Sequence, residues 1–134
     1  LAEEFDKLDV QMNQDKTRVV DLTQDQTFSF LGFDYRRRQT RRKVWGVSVT
    51  PRMKARTALL QKLKDVFRRH QSQPVDRVIF LINPLLRGWA NYFRIGNSSR
   101  CFGYVKDWVE KKIRCHLMRS RKRRGFGWDR WSRA

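Results

Sequence analysis

The sequence predicts an α+β fold, mostly α, in which a β-hairpin is followed by a three-helix bundle. Two observations carry this. Aromatic and β-branched residues alternate between positions 28 and 49, the period-2 signature of half-buried strands. Three stretches between residues 50 and 117 then place apolar residues at helical spacing with short polar links between them, which favours neighbouring packed helices.

Leu1, Phe5, Leu8 and Met12 share one helical face, with carboxylates outside. A short strand is expected over Thr17–Leu22, where β-branched residues cluster, and Thr23–Gln26 reads as a polar turn. Phe28, Phe30, Phe33 and Tyr35 alternate as a second strand, interrupted at Leu31-Gly32 by a glycine suited to a bulge or close contact. Arg36 to Lys43 holds six basic residues in eight and is expected to form the hairpin tip. Val44, Gly46, Val47 and Val49 form the return strand.

Thr50-Pro51 predicts the start of the first bundle helix, a capping hydroxyl followed by proline at the first helical position. Its buried face is Ala55, Leu59, Leu63, Val66 and Phe67, and Lys and Arg cover the remainder up to His70. Gln71–Pro74 separates it from the next segment, which carries Val78, Ile79 and Ile82. Pro84 lacks an amide hydrogen and crowds the carbonyl of Phe80, so a helix is expected to start or kink there with Asn83 as its cap. Leu85, Leu86, Trp89, Tyr92 and Phe93 then form an apolar stripe, which assigns Trp89 to the core. Gly88 costs roughly 1 kcal/mol relative to alanine inside a helix, which points to a backbone or ligand close by. The third helix, capped by Ser98 or Ser99, turns Phe102, Val105, Val109, Ile113 and Leu117 inward. His70 and His116 are expected at helix ends or edges.

The formal net charge is +18, and it is uneven. Residues 1–26 carry three Lys/Arg against seven Asp/Glu, whereas residues 27–134 carry twenty-eight against six. Such a surplus calls for a polyanionic partner, most simply nucleic acid. An acidic membrane surface competes poorly, because the aromatics are committed to a core. No apolar run approaches a membrane span, so no membrane partner is expected. Cys101 and Cys115 show no Cys-x-x-Cys or His-x₃₋₅-His companion, so neither a metal site nor a disulfide is expected, and one thiol should be buried. After Gly125, glycine, aromatics and arginine mix as stacking segments do, although a basic tail completed only by a parent protein has the same composition. The chain opens within a helical pattern at Leu1 and reads as an excised piece.

Asn83-Pro84-Leu85-Leu86-Arg87-Gly88-Trp89-Ala90-Asn91-Tyr92-Phe93-Arg94 resembles, almost without interruption, the signature of the maturase-specific (X, or thumb) domain of group II intron reverse transcriptases. Met12-Asn13-Gln14-Asp15-Lys16-Thr17-Arg18-Val19-Val20 is similar to the leucine-asparagine-x-x-lysine-threonine segment of the palm of those enzymes. Phe28-Ser29-Phe30-Leu31-Gly32-Phe33 is similar to their primer grip. The resemblance implies the end of a palm at residues 1–49, a thumb at 50–124 and the start of a basic nucleic-acid-binding tail at 125–134. It also implies that Lys16 donates a proton to pyrophosphate in the complete enzyme, and that Phe30, Leu31 and Gly32 press on the primer end. Without the resemblance Lys16 is an ordinary solvated lysine, and Phe-Leu-Gly an ordinary core strand.

Nucleotidyl transfer needs carboxylates that hold two metal ions. This sequence has no Asp-Asp pair, so it is expected to hold no metal and to be inactive alone. Mg²⁺ and catalysis are assigned to the remainder of the parent reverse transcriptase. The partners implied are intron RNA and an RNA template with its DNA primer, in the cytoplasm. Phosphate contacts are expected from Arg36, Arg37, Arg38, Arg41, Arg42 and Lys43 of the hairpin, and from Arg52, Lys54 and Lys62 of the first bundle helix. Arg87, Arg94, Lys111, Lys112, Arg119, Arg121, Lys122, Arg123 and Arg124 complete the set. A free-standing basic RNA-binding module, or the thumb of a CRISPR- or defence-associated reverse transcriptase, shares the charge pattern. The former leaves the Lys16 and Phe30-Leu31-Gly32 segments unexplained.

Overall fold

The computed structural model describes residues 19–24 and 26–121. The helical stretch expected at Leu1–Met12, Lys16 and everything from Lys122 onward lie outside the described residues. The order is a single 3-10 turn at Leu22–Gln24, strands β1 (Thr27–Phe30), β2 (Phe33–Gln39) and β3 (Trp45–Pro51), then helices α1 (Met53–Arg69), α2 (Val75–Phe93) and α3 (Ser99–Ser120). An antiparallel sheet in the order β1-β2-β3 thus precedes three helices, the α+β class expected.

The first strand expected at Thr17–Leu22 is not present in its described part. Val19–Asp21 is irregular and Leu22 enters the 3-10 turn. The Asp21 carboxylate accepts hydrogen bonds from the hydroxyl and the amide of Thr23, and these hold its pKa below the usual value. The side chain therefore stabilises a turn in place of a ladder.

A second correction concerns Leu31-Gly32, which does not interrupt one strand but separates two. Phe30 pairs with Phe33, and Leu31 and Gly32 both have positive φ, 49° and 81°, as a two-residue type I′ hairpin requires. Leucine is an unfavourable residue for that conformation, and contacts from distant residues hold it there. The Tyr92 hydroxyl donates to the Leu31 carbonyl at 2.8 Å, and the Arg52 amide donates to the Gly32 carbonyl at 2.8 Å. A Cβ on Gly32 would lie 3.3 Å from the Phe93 ring.

The basic tip is also shorter than expected. Arg36, Arg37 and Arg38 belong to β2, and the reversal is Thr40–Val44, closed by the Thr40 amide on the Val44 carbonyl at 2.8 Å. Strand alternation then splits the arginines between faces. Phe33, Tyr35 and Arg37 share a face with Phe28, Val47, Val49 and Pro51, whereas Asp34, Arg36 and Arg38 share the other with Ser29, Ser48 and Thr50. Phe28 stacks on Tyr35 with centroids 4.7 Å apart.

Pro51 closes β3 opposite Phe33 and does not open the helix. Arg52 occupies the N-cap position with no side-chain cap bond, so Thr50 caps nothing. A proline is accommodated there because β3 is an edge strand. The helical core joins Leu59, Leu63 and Phe67 of α1 to Val78 and Ile82 of α2 and Val105 and Val109 of α3. Leu63, Val78 and Ile82 are essentially fully buried. Burying an aliphatic side chain of this kind contributes about 1.5–3 kcal/mol.

Helix α2 runs unbroken through Pro84, so Asn83 is not a cap. Phe80 and Pro84 are both exposed. The carbonyl that Pro84 cannot bond is therefore on the solvent side, while Ile82, Leu85 and Leu86 keep the inner face continuous. Trp89 packs against the core, 4.7 Å from the Phe93 ring and 5.6 Å from Phe102, as its apolar stripe implies. Tyr92 lies at the edge of that stripe, half exposed, and serves the Leu31 turn.

His116 is a further correction: it is 4% exposed and sits inside α3. Its Nε2 donates to the Gln73 carbonyl at 2.8 Å, because a carbonyl can only accept, and this ties the α1–α2 link to α3. His70 lies at the α1 C-cap as expected. Ser98 holds the N-cap position of α3 but does not cap it; its hydroxyl donates to the Phe93 carbonyl.

The α2–α3 link fastens to the sheet. The Asn97 amide donates to the Val49 carbonyl at 2.6 Å, and the Val49 amide donates to Asn97 Oδ1 at 3.1 Å. A Cβ on Gly96 would lie 2.5 Å from the Val49 carbonyl oxygen. Gly88 is the opposite case: nothing comes within 4 Å of a Cβ there, so the close neighbour expected from the sequence is not found among the described residues. Thermal unfolding separates the two glycines. Gly88→Ala raises stability by about 0.5–1 kcal/mol, the ordinary helix-propensity gain. Gly96→Ala lowers it by more than about 1 kcal/mol. Equal effects would contradict the packing described.

Candidate nucleic-acid interface

The cationic side chains fall into separate groups once the fold is known. On α1, Lys54, Lys62, Lys64, Arg68 and Arg69 are exposed, with Arg52 exposed just before them. Helical periodicity puts Leu59, Leu63 and Phe67 inside and leaves the charges outward. Arg41, Arg42 and Lys43 project from the β2–β3 tip. Arg87 and Arg94 are exposed on α2. Arg119 and Arg121 lie at the C-terminal end of α3, where positive charge complements the helix dipole.

Two expected contacts are engaged within the fold. Arg37 lies with Cζ 4.4 Å from the Trp45 ring centroid, on the apolar face of the sheet and away from Arg36 and Arg38. Lys112 is half-buried with Nζ 5.4 Å from the Trp108 ring. Lys111 is exposed. Both helical ion pairs, Lys106 and Arg114, use Glu110 at 3.9 and 4.0 Å, and surface pairs of this kind contribute little. Lys16, Lys122, Arg123 and Arg124 lie outside the described residues.

The Phe30-Leu31-Gly32 segment forms an exposed turn: Phe30 is 56% and Leu31 65% accessible. It is nevertheless held from behind by Tyr92, Phe93 and Arg52. The turn is both presented and fixed.

Sequence reasoning missed one convergence. An open cleft of about 680 Å³ lies between the sheet and the N-terminal ends of α1 and α3, and Arg38, Arg41, Arg56 and Arg100 line it with Asp34 and Cys101. Arg56 is held flat, its Cζ 4.1 Å from the Tyr104 ring centroid and its Nη2 against the Met53 sulfur. Arg56 reads in sequence as one more basic residue on a helix, and Arg100 as one that follows a serine pair. Only the Asn97–Val49 attachment brings Arg100 beside β2 and β3.

Among the described residues, no three His, Cys, Asp or Glu side chains gather as a metal site. No described helix is long and apolar enough to cross a membrane. Both cysteines are free thiols, Cys101 half-buried on α3 and Cys115 exposed, so the thiol expected to be buried is only partly so. Burial pushes the Cys101 thiol above its ordinary pKa, with Arg56 opposing the shift. A raised pKa leaves less thiolate at a given pH, and thiolate is the nucleophile. Iodoacetamide at pH 8 therefore labels Cys115 before Cys101, and Cys101 catches up only as the pH rises. Faster labelling of Cys101, read by peptide mass, would contradict the burial.

No curated protein matches the chain. The family model described as "Group II intron, maturase-specific domain" matches residues 56–134. The match begins within α1, takes in α2 and α3 and covers more than half of the chain. The chain therefore belongs to the family of group II intron maturase-specific domains, which ties it to group II intron splicing.

Proposed function

We propose that this chain is the RNA-binding thumb of a group II intron reverse transcriptase, joined to the last strands of its palm. It holds intron RNA during splicing and the template–primer during RNA-directed DNA synthesis. The observation that carries the reading is the outer face of α1. Lys54, Lys62, Lys64, Arg68 and Arg69 are exposed there, and Asp65 is the only carboxylate on the helix. Such a band costs self-repulsion in isolation and gains it back against a phosphate backbone. These contacts position RNA without reading its sequence, and shape recognition of the folded intron supplies the rest.

Within the complete enzyme we assign the Leu31-Gly32 turn to the primer end, Lys16 to proton donation and Mg²⁺ binding to carboxylates of the parent protein. The held turn, with its exposed Phe30 and Leu31, supports the first assignment.

The test is equilibrium binding of this chain to a group II intron RNA at several salt concentrations. Six or more phosphate contacts give a slope of log affinity against log salt of about −4 or steeper, at roughly 0.7–0.9 per contact. Replacing Lys54, Lys62 and Arg69 with Gln flattens that slope by about two units and leaves the melting temperature nearly unchanged. Absence of binding, or binding that salt does not weaken, would overturn the reading.

A further inference from the structure

We propose that the cleft between the polar face of the sheet and the N-terminal ends of α1 and α3 binds the sugar–phosphate backbone of RNA, without selection by base. The inference rests on the RNA-binding reading above and gives it a second, recessed site distinct from the α1 band.

Four arginines from four places in the chain meet there: Arg38 at the end of β2, Arg41 in the tip, Arg56 on α1 and Arg100 on α3. None forms an ion pair with a carboxylate among the described residues. Asp34 is the only acidic residue among the described residues that line the cleft, and one of its oxygens already accepts from the Ser29 hydroxyl. One carboxylate cannot balance four guanidinium groups, so among the described residues the recess carries an excess of positive charge. Like charges gathered in this way raise the energy of the empty cleft and lower that of the occupied one.

Arg56 is the best-defined of the four. Tyr104 supports the plane of its guanidinium, and its Nε is buried with no hydrogen-bond partner. A guanidinium has five donors in a fixed fork that suits phosphate oxygens. One that is already immobilised loses little further side-chain entropy when an anion arrives. The helix ends add to this without carrying it. Neither α1 nor α3 has a side-chain cap or an acidic residue in its first turn, so their first amides remain available as donors.

The lining also indicates what part of the nucleic acid enters. Among the described residues no aromatic ring lines the cleft, and these residues offer no stacking platform of the kind on which bases are held. Asn97, Ser48, Ser99 and Thr50 supply short polar side chains beside the arginines, the set that contacts phosphates and sugars. The occupant is therefore backbone, contacted without regard to sequence.

The test uses the full chain carrying R38Q, R41Q and R100Q together. All three residues are exposed, and Arg56 is retained because it packs on Tyr104. Intron RNA and an unrelated RNA of equal length are titrated across several salt concentrations, with thermal unfolding alongside. Cys101 lies in the cleft and Cys115 does not, so alkylation of the two thiols with and without RNA provides a local readout.

The triple variant is expected to melt like the parent chain and to flatten the salt slope by about two units. Its affinity loss is equal for both RNAs. In the parent chain, RNA slows Cys101 alkylation at least several-fold and leaves Cys115 unchanged. An unaltered slope, together with a Cys101 rate that RNA does not change, overturns the cleft while leaving the α1 band and the general reading intact. Failure of the parent chain to bind any RNA instead overturns the general reading, and the cleft with it.

Discussion

The attachment of Gly96-Asn97 to Val49 is the constraint on which the rest of the architecture depends. β3 lies at the sheet edge, and an edge strand leaves amide and carbonyl groups unpaired. Asn97 satisfies both outward groups of Val49, one through its backbone amide and one through its side-chain oxygen. The close approach is possible only because residue 96 has no Cβ. A three-stranded sheet of this size has little core of its own. It is joined to the helices at this edge and at the Leu31-Gly32 turn, where Phe33 meets Phe93 with ring centroids 5.0 Å apart.

Those two attachments place the functional surfaces. The Tyr92 and Phe93 contacts fix the exposed turn assigned to the primer end. The Asn97 contact swings the start of α3 against β2 and β3 and so creates the arginine cleft. α1 begins two residues after β3 pairs for the last time, which sets the cationic band near the same end of the sheet. The chain thereby carries a cationic band on α1 and a cationic recess beside the sheet, the two surfaces proposed to meet RNA.

Much of this was legible in the sequence, and for identifiable reasons. Helical periodicity located Leu59, Leu63, Phe67, Val78, Ile82, Val105 and Val109, all of which enter the core. The alternation of aromatics located the hairpin. Some errors are local, as where Asp21 binds Thr23 and makes a turn in place of a strand, and others arise from the helix environment or from distant contacts. Leu31 adopts a left-handed conformation because Tyr92 and Phe93, some sixty positions away, hold the turn. Pro84 fails to end α2 because its unpaired carbonyl partner is on the wet side of a helix whose dry side is continuous. His116 is drawn inside by the Gln73 carbonyl, a partner that no spacing rule names. The cationic residues were legible as a set but not as places. Nothing in the local sequence around Arg38 or Arg100 indicates that they face one cleft, or that Arg37 turns away from both neighbours to lie on Trp45.

The central claim is that sheet and helices form one RNA-binding body gripped at their joint. Ultraviolet cross-linking of the chain to a group II intron RNA, followed by peptide mass mapping, addresses it most directly. Cross-linked peptides are expected together from the β2–β3 hairpin, from α1 and from the first turns of α3 in the same complex. Cross-links confined to the outer face of α2 around Phe80 and Pro84, with none on the sheet or on α1, would contradict it.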